Sequence, residues 1–376
     1  MDINTLPISF AVAPTMSGYR TLHRILPSGH DGGGESSPLP IWRVRFSPCR
    51  SSSSPSSSLR LLAAGASNTI PWYALTERTS KDADTNDVLD ASAMTVDCKE
   101  CLVSKEYYNI VQENNSNNCN AGGSKAASLG YAALDIVRNY CGADTIAGNE
   151  VVAASQLGGK GCLWVRLDPA LVEKGVTAAD NAATTTVGDD NECMTYIQPH
   201  AEFTIDSATG TTLALRPPTS ANYYSKKDTD ILVALGCANG AVILCKTGIL
   251  AARPGCDNAG SSSTAVVGDA SSSSGESINI LSGSTPGEIV ATIGGGHACV
   301  MSLAFHPTIP NTFVVGRKEG TIDIYSSATN DDYYHVGDLS FRRRHRLVHS
   351  SFPIRALSFS ADGALLFAGD DDGKLY

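Results

Sequence analysis

A short run near the C-terminus has the strongest chemical character in the sequence. Arg342, Arg343, Arg344 and Arg346 surround His345, in a chain with 28 Lys and Arg against 38 Asp and Glu and a formal net charge of −10. Guanidinium groups in such a run can pair with an acidic segment of a partner protein or with RNA phosphates. The alternative is a solvated loop whose arginine stems lie over the rim of the protein. The sequence thus predicts a surface loop that is a candidate partner-binding loop.

Two cysteines are spaced like half of a metal site. Cys98 and Cys101 form a CxxC pair, but structural zinc needs four ligands, and no second CxxC or paired HxxxH lies nearby. The pair is therefore interpreted as two thiols in a loop. The chain has 11 cysteines, scattered and odd in number, which favours free thiols in a reducing compartment.

Two further clusters contain residues that can bind metal ions, but their spacing does not fit a metal site. His345 and His349 are four residues apart, a spacing that places ligands together on a helix but not on a strand. Asp370 and Asp371 precede Asp372, which fits a turn between strands better than a cation site. We expect no metal and no cofactor.

The sequence contains no catalytic or phosphate-binding motif, since GxSxG, the P-loop, GxGxxG after a strand and HExxH are all absent. We therefore expect a non-catalytic protein. The net negative charge argues against nonspecific electrostatic binding of the whole protein to nucleic acid or to an anionic membrane. The sequence has no run of about 18 apolar residues and no basic stretch before an apolar N-terminal segment. An intracellular protein, nuclear or cytoplasmic, without membrane contact is expected.

The elements that would position these residues are short strands. Apolar runs of four to seven residues are bounded by Gly, Pro, Asp and Asn, a pattern typical of β-strands that end in turns. Serine tracts at 51–58, 261–263 and 271–274 cannot bury enough apolar surface to offset the entropy of ordering, so they predict loops or low-complexity inserts.

An internal repeat organises the C-terminal part of the chain. The segment HACVMSLAFHP from His297 and the segment HSSFPIRALSFSADG from His349 align, and so do the residues that follow each. Phe305 then matches Phe359, 54 residues later, and Gly316 matches Gly369, 53 residues later. Both units predict the same three strands, with a tight glycine turn before the third, and a fourth strand at Glu288–Ile293. The predicted strands are Val300–Phe305, Thr312–Gly316 and Thr321–Tyr325, and then Ile354–Phe359, Ala364–Gly369 and Lys374–Tyr376.

Three weaker copies lie upstream. For Ala133–Tyr140 a helical period is an alternative to the strand, because Leu129, Ala133, Ile136, Val137 and Tyr140 also fit one helix face. The copies comprise Pro40–Pro48 with Leu59–Asn68, then Ala133–Tyr140 with Glu150–Gly159 and Cys162–Val165, and then Thr212–Pro218 with Ile231–Gly240 and Ala241–Cys245.

These units resemble the WD-repeat β-propeller family, whose repeat runs from Gly-His through two strands and an Asp turn to Trp-Asp. His30 and His297 follow a glycine as in the family pattern, and His349 matches without it. Asp372 alone keeps the family residue at the turn, and Trp164 alone keeps the tryptophan. Other residues stand at those positions in the remaining copies: Asn68, Gly158, Asn239 and Glu319 at the turn, and Ala74, Cys245 and Tyr325 at the tryptophan. The resemblance thus implies the fold, with the His–Asp–Trp hydrogen-bond network broken in most units.

The expected fold is an all-β WD-repeat β-propeller spanning 15–376, with about five recognisable blades of a seven-bladed ring. The blades are expected near 30–75, 129–168, 200–250, 288–340 and 341–376, and long inserts near 76–128, 166–209 and 246–287. Since the family has seven blades, either an incomplete gene product or a smaller ring is expected.

Within the family, SFPIRALSFSADGALLFAGDDDGKLY is most similar to the WD-repeat subunit shared by the superkiller complex and the RNA polymerase-associated elongation complex. That resemblance implies a non-catalytic scaffold for protein–protein interaction in a multisubunit complex of mRNA decay or transcription elongation. Two alternatives stay open: a propeller enzyme with a site in the central channel, and an RNA-binding propeller that uses Arg342–Arg346.

Overall fold

The computed structural model describes residues 40–46, 59–77, 94–116, 130–140, 148–156, 159–167, 184–187, 194–204, 210–217, 230–250, 284–294, 298–309, 311–327, 340–348 and 350–376. The serine tracts and the three repeat histidines, His30, His297 and His349, lie outside these residues. No helix in the described part of the chain is both long and apolar enough to cross a lipid bilayer.

The first two sheets come from the N-terminal part of the chain. The strands of the first sheet are antiparallel from β1 to β4, and a short helix, α1, follows β4. The bounds are β1 (Ile41–Phe46), β2 (Leu59–Gly65), β3 (Thr69–Glu77), β4 (Met94–Val103), α1 (Lys105–Ser116), β5 (Tyr131–Tyr140), β6 (Gly148–Gln156), β7 (Lys160–Leu167), β8 (Thr184–Val187), β9 (Met194–Ile197) and β10 (Ala201–Thr204). Strand β9 pairs in parallel with β4 and carries β8, and the second sheet has the order β10-β7-β6-β5.

The remaining strands form two four-stranded sheets and one two-stranded sheet. Their bounds are β11 (Gly210–Leu215), β12 (Asp230–Cys237), β13 (Val242–Leu250), β14 (Ile289–Ile293), β15 (Val300–Phe305), β16 (Thr312–Arg317), β17 (Thr321–Ser327), β18 (Phe341–Val348), β19 (Ile354–Phe359) and β20 (Leu366–Asp370). The orders are β11-β12-β13-β14, β15-β16-β17-β18 and β19-β20. The described residues therefore form five sheets in chain order.

The sheets stack face to face around their first strands. Strand β1 contacts β5, β5 contacts β11, β11 contacts β15, and β15 contacts β19. Each boundary between neighbouring sheets has its own cluster of buried apolar side chains. This is the arrangement of propeller blades, in which every inner blade is covered on both faces.

Because neighbouring sheets cover each inner sheet on both faces, its strands consist of unbroken runs of apolar residues. In β12, Val233 and Leu235 pack toward the second sheet, whereas Leu232 and Ala234 pack toward the fourth. All eight residues of β12 are buried. A strand buried on both sides has no position for a solvated side chain, so the alternation typical of a half-exposed strand disappears.

The repeat glycines hold the units in register. Gly320, in the turn between β16 and β17, has a φ of 82°, a conformation that favours glycine. Gly316 lies where the next sheet comes closest, because a Cβ there would lie 2.8 Å from Cγ2 of Ile354. Across the same boundary, Ser302 Oγ donates a hydrogen bond to the Ile354 carbonyl oxygen at 2.7 Å.

The predicted strands of the two C-terminal units are largely confirmed. Strands β15 and β19 have the predicted bounds, and β5 is a strand, so the helical alternative for 133–140 was wrong. The predicted strand Lys374–Tyr376 is instead an isolated bridge between Gly369 and Leu375. Backbone hydrogen bonds still join this segment to β20, because Tyr376 N–H donates to the Ala368 carbonyl oxygen at 2.9 Å and Asp370 N–H donates to the Lys374 carbonyl oxygen at 3.0 Å.

The outermost strand of each four-stranded sheet comes from the start of the next sequence unit. Thus β10, β14 and β18 close the second, third and fourth sheets. The regions near 76–128 and 166–209, predicted to be inserts, contain β4 with α1 and β8 to β10 respectively. Strand β4 fills the fourth position of the first sheet, so part of that region belongs to a blade.

Candidate functional site

The basic run lies on a strand, and the prediction of a loop was wrong. Residues 341–348 form β18, which pairs with β17 from Thr321↔Val348 to Ser327↔Phe341. An edge strand on the outside of a sheet needs no buried face, so five consecutive exposed polar residues can occupy it. Charge alone therefore could not distinguish this strand from a loop.

A bulge in β18 sorts the arginines into two groups. The pairing steps from Ile324↔His345 to Tyr325↔Arg343, which leaves Arg344 without a residue opposite it. The extra residue turns Arg343 and Arg346 toward the same partner, the carboxylate of Asp323 on β17.

Asp323 is the centre of a charged network inside the fourth sheet. Its side chain is fully buried, and it accepts hydrogen bonds from Arg346 Nε at 2.7 Å and Nη2 at 3.0 Å. Arg343 Nη1 lies 3.7 Å from the same carboxylate. Burial raises the pKa of Asp323, but the hydrogen bonds from Arg346 and Arg317 outweigh burial and hold the pKa below its ordinary value.

Arg317 anchors this network toward the third sheet. Its side chain is also fully buried, and Nε donates to Asp323 Oδ2 at 2.7 Å. Nη1 donates to the carbonyl oxygens of Gly240, at 3.0 Å, and Ala298, at 3.1 Å, and Nη2 donates to the Tyr325 hydroxyl at 3.3 Å. Because every bond lies within the protein, the network is structural and fixes β18 against the core.

The other two arginines face outward. Arg344 donates to Ser326 Oγ at 2.7 Å and to the Ser327 carbonyl oxygen at 3.2 Å, along the edge of the sheet. The Arg342 side chain has neither an ion pair nor a hydrogen bond within the described residues. Arg342 and Arg344 are therefore the arginines of this run that a partner could contact without breaking the network, and we call them the arginine edge.

Trp164 takes the buried position expected of the repeat tryptophan. Its side chain is buried, packs edge-on against Tyr131 at 6.2 Å between centroids, and donates Nε1–H to the Ile197 carbonyl oxygen at 3.2 Å. Tyr325, at the equivalent place in the fourth sheet, contacts Arg317 through its hydroxyl. The repeat position thus carries different hydrogen bonds in the second and fourth sheets.

Asp372 lies in the last turn, exposed, and pairs with Lys374 at 2.7 Å. The residue that organises that turn is Asp370. Its Oδ1 accepts from the backbone N–H of Asp372 at 3.0 Å and of Lys374 at 2.9 Å, and its Oδ2 accepts from Ser350 Oγ at 2.6 Å. The hydrogen bond from Ser350 leads the effects that lower the pKa of Asp370.

Sequence reasoning missed both Arg317 and Asp370, although one signal points to them. They follow the aligned glycines Gly316 and Gly369 directly, at the ends of otherwise apolar strands. A polar residue repeated at such a place is a candidate for a buried hydrogen-bond centre.

Cys98 and Cys101 lie on β4, so the prediction of loop thiols was wrong. A bulge at Lys99, opposite Trp72 and Tyr73, brings the two cysteines to one side of the strand. A hydrogen bond with Cys98 and burial both raise the pKa of Cys101 above its ordinary value. Within the described residues, no group of three or more His, Cys, Asp or Glu could hold a metal ion.

The thiols should differ in reactivity. Burial raises the pKa of Cys237 to about 11 and that of Cys245 to about 12, whereas Cys98 and Cys299 are only half-buried. Because the thiolate is the reactive form, we expect iodoacetamide at pH 7.5 to label Cys98 and Cys299 at least about tenfold faster than Cys237 and Cys245. Peptide mapping by mass spectrometry measures this, and equal rates under native conditions would contradict the described burial.

A cavity of about 610 Å³ lies among the first strands of the five sheets. Among the described residues that line it, the ionisable side chains are Arg45 and Asp135, paired at 3.1 Å. The second oxygen of Asp135 accepts the Leu215 backbone N–H at 2.8 Å. Since both carboxylate oxygens are engaged, Asp135 is poorly placed to act as a general base for a channel enzyme.

One family model agrees with this architecture. Residues 341–376 match the family model for the WD domain, G-beta repeat. No curated protein matches the sequence.

Among solved structures, the chain is similar to one chain of apo ctPRC2 in an autoinhibited state (12% identity, TM-score 0.45) and to one of the Chaetomium thermophilum polycomb repressive complex 2 (11%, 0.45). Each similarity covers 88% of this chain, which spans 47% and 46% of those chains respectively, or about half their length. The computationally designed Ika4 protein is similar at 14% identity and a TM-score of 0.32, over 68% of this chain and 93% of that one. With five stacked sheets, in which nearly all neighbouring strands are antiparallel, and a WD repeat at 341–376, the chain is an all-β protein with a WD-repeat β-propeller fold.

Proposed function

We propose that the chain is a non-catalytic WD-repeat scaffold that mediates protein–protein interaction in a multisubunit complex. The observation that carries the proposal is the arginine edge, two exposed guanidinium groups on a strand whose neighbouring arginines are tied to a buried carboxylate. A charged surface on such a rigid support loses little conformational freedom when a partner binds.

The partner chemistry that fits the arginine edge is an acidic protein segment. Arg342 has all of its guanidinium donors free of described partners, and guanidinium groups bind carboxylates in a two-bond geometry. The rest of the chain is acidic, so the local positive charge would also orient an acidic partner during encounter.

For the identity of the complex we propose mRNA decay or transcription elongation, in the nucleus or the cytoplasm. This assignment rests on the resemblance of residues 351–376 to the WD-repeat subunit shared by the superkiller and elongation complexes. RNA contact through Arg342 and Arg344 is the competing function for the same surface.

Removing the arginine edge should weaken partner binding without unfolding the protein. For the double variant Arg342→Ala/Arg344→Ala we expect nearly unchanged melting, because exposed charges contribute little to stability. Affinity purification with quantitative mass spectrometry should show loss of at least one protein that the wild type retains. A matched control, Lys318→Ala/Lys374→Ala, removes two exposed positive charges elsewhere and should retain it.

Two outcomes would contradict the proposal. Equal loss of partners in both double variants would mean that net charge, not the arginine edge, governs binding. An RNA oligonucleotide that binds the wild type with affinity falling steeply as salt rises, and fails to bind the arginine variant, would assign the surface to RNA instead.

A further inference from the structure

Three sulfur-containing side chains lie together in the first sheet, which is a different sheet from the one that carries the arginine edge. Cys98 and Cys101 are on one side of β4, and a hydrogen bond joins their side chains. The Sγ atom of Cys101 lies 3.6 Å from the Sδ atom of Met194 on β9. We call these three side chains the sulfur cluster.

The pairing of the strands brings the sulfur cluster together. Strand β9 pairs in parallel with β4, so that Tyr196 lies opposite Cys101. Met194 is two residues before Tyr196 and projects from the same face of the sheet as Cys101. Cys98 is three residues from Cys101 and would project from the opposite face of a regular strand, but the bulge in β4 reverses this.

The spacing of the sulfur atoms fits ligands that share one metal ion. Sulfur atoms bound to one ion at about 2.3 Å lie about 3.8–4.0 Å from each other. The distance of 3.6 Å between Cys101 and Met194 is close to this range, and Cys98 is in hydrogen-bond contact with Cys101. Small side-chain movements are therefore enough for all three sulfur atoms to reach one ion.

The chemistry of the three ligands selects the ion. Thiolate and thioether groups are soft ligands that favour Cu(I), whereas structural zinc takes four ligands from Cys, His and carboxylate side chains. No group of three or more His, Cys, Asp or Glu in the described part of the chain could hold a metal ion. The third ligand here is the thioether of Met194, so the sulfur cluster fits Cu(I) and not Zn²⁺.

The sulfur cluster is accessible from one side and shielded on another. Cys98 and Met194 are half-buried, so an ion can reach them from solvent. Cys101 is only 6% exposed, and the buried side chain of Tyr73 lies close to both cysteines. An ion held between the three sulfur atoms would therefore be partly protected from water.

We infer that Cys98, Cys101 and Met194 bind one Cu(I) ion. The two thiols release their protons to solvent when the ion binds, and the thioether supplies the third ligand without losing a proton. The ion ties β9 to β4, which otherwise share a ladder of only three residue pairs. The inference goes beyond the scaffold function and does not depend on the partner proposed for the arginine edge.

Competition with a chelator measures this binding. The reduced full chain is titrated with Cu(I) without oxygen, in the presence of bicinchoninate, whose Cu(I) complex is coloured. We expect the wild type to retain one Cu(I) ion per chain. Met194→Leu keeps the size of the side chain but removes the thioether, and Cys98→Ser removes one thiol. Each should weaken binding at least about tenfold, because losing even an outer partner of a metal ligand has that effect.

A control variant and a spectroscopic measurement locate the ion. The chain has 11 cysteines, so Cys299→Ser, which removes a half-buried thiol elsewhere, should leave the affinity unchanged. X-ray absorption of the Cu(I)-loaded wild type should show three sulfur neighbours at about 2.3 Å, and that of Met194→Leu should show two.

Four results would overturn the inference. The first is that the wild type retains no Cu(I) in the presence of the chelator. The second is unchanged affinity in Met194→Leu or in Cys98→Ser, and the third is an equal loss of affinity in Cys299→Ser. The fourth is displacement of Cu(I) by an equal concentration of Zn²⁺, which would contradict a site made of soft ligands.

Discussion

Replacing Asp323 with alanine is expected to destabilise the fold by about 3–5 kcal/mol, the usual cost of leaving a buried charge without its partner. The charge in question is Arg317, whose side chain is fully buried and whose carboxylate partner is Asp323 at 2.7 Å. Arg343 and Arg346 are partly exposed and can turn to solvent, but Arg317 cannot. Chemical denaturation of the wild type and the variant measures the difference in the free energy of unfolding.

The exposed pair Arg355–Asp371 is a matched control. It has the same chemistry and the same 2.7 Å separation, but its side chains are 52% and 35% exposed. Asp371→Ala should therefore shift the denaturation midpoint far less than Asp323→Ala, because water solvates the arginine that is left. Equal shifts would show that the fourth-sheet network is not buried as described. The double variant Arg317→Met/Asp323→Leu should recover much of the loss, since it leaves no fully buried charge unpaired.

The same carboxylate should make part of the stability depend on acid. The pKa of Asp323 is lower in the folded chain than its ordinary value of about 3.9. A lowered folded pKa contributes stability above the unfolded pKa, and this contribution is lost as the pH falls through the folded value. The difference in unfolding free energy between the wild type and Asp323→Asn should thus be constant above about pH 5 and shrink below about pH 4. A difference that grows on acidification would contradict this sign.

Strand positions could be predicted where the pattern is local. Val300–Phe305 and Ile354–Phe359 combine apolar alternation with glycines at a fixed distance, and both strands have the predicted bounds. The strand β4 was missed because the charged residues of CKEC interrupt its apolar positions, and the bulge at Lys99 shifts the period. A bulge is a property of pairing between two strands, so neither strand alone reveals it.

The network around Asp323 could not be predicted because its members meet only through sheet register. Arg346 is 23 residues from Asp323 in sequence and is brought opposite it by the pairing of β17 with β18. Once the arginine run is interpreted as a loop, that pairing does not exist. The division into structural arginines and an arginine edge therefore follows from the fold and not from composition.

The contacts of Arg43 have the same origin. Arg43 and Arg45 belong to the first sheet, Met301 to the fourth and Arg355 to the fifth, so up to 312 residues separate groups that interact with one another. No motif spans such distances. The sequence did identify the strand PIWRVRFSP that carries both arginines, and alternation along that strand places them on one face.

Phe313→Ala is expected to cost about 3–5 kcal/mol, the second large effect in this molecule. Phe313 is fully buried in β16 and stacks on Tyr325 at 5.4 Å between centroids, with an interplanar angle of 15°. Phe305 and Phe341 contact it at 5.6 and 5.4 Å in tilted geometry. The truncation removes both buried area and three aromatic contacts, and it leaves a cavity between the third and fourth sheets.

Phe367→Ala provides the matched control, since the same atoms are removed from a side chain that is 42% exposed. Phe367→Ala should lower the free energy of unfolding by less than half as much as Phe313→Ala, because little apolar area leaves a buried site and solvent fills the space.

The aromatic cluster also contacts the charged network. Phe313 touches Tyr325, whose hydroxyl contacts Arg317, so the effect of Phe313→Ala should not add simply to that of Asp323→Ala. Chemical denaturation of Phe313→Ala, of Asp323→Ala and of the double variant that carries both substitutions measures this coupling. Strict additivity, or equal costs for Phe313→Ala and Phe367→Ala, would contradict a fourth sheet in which the aromatic cluster and the charged network support each other.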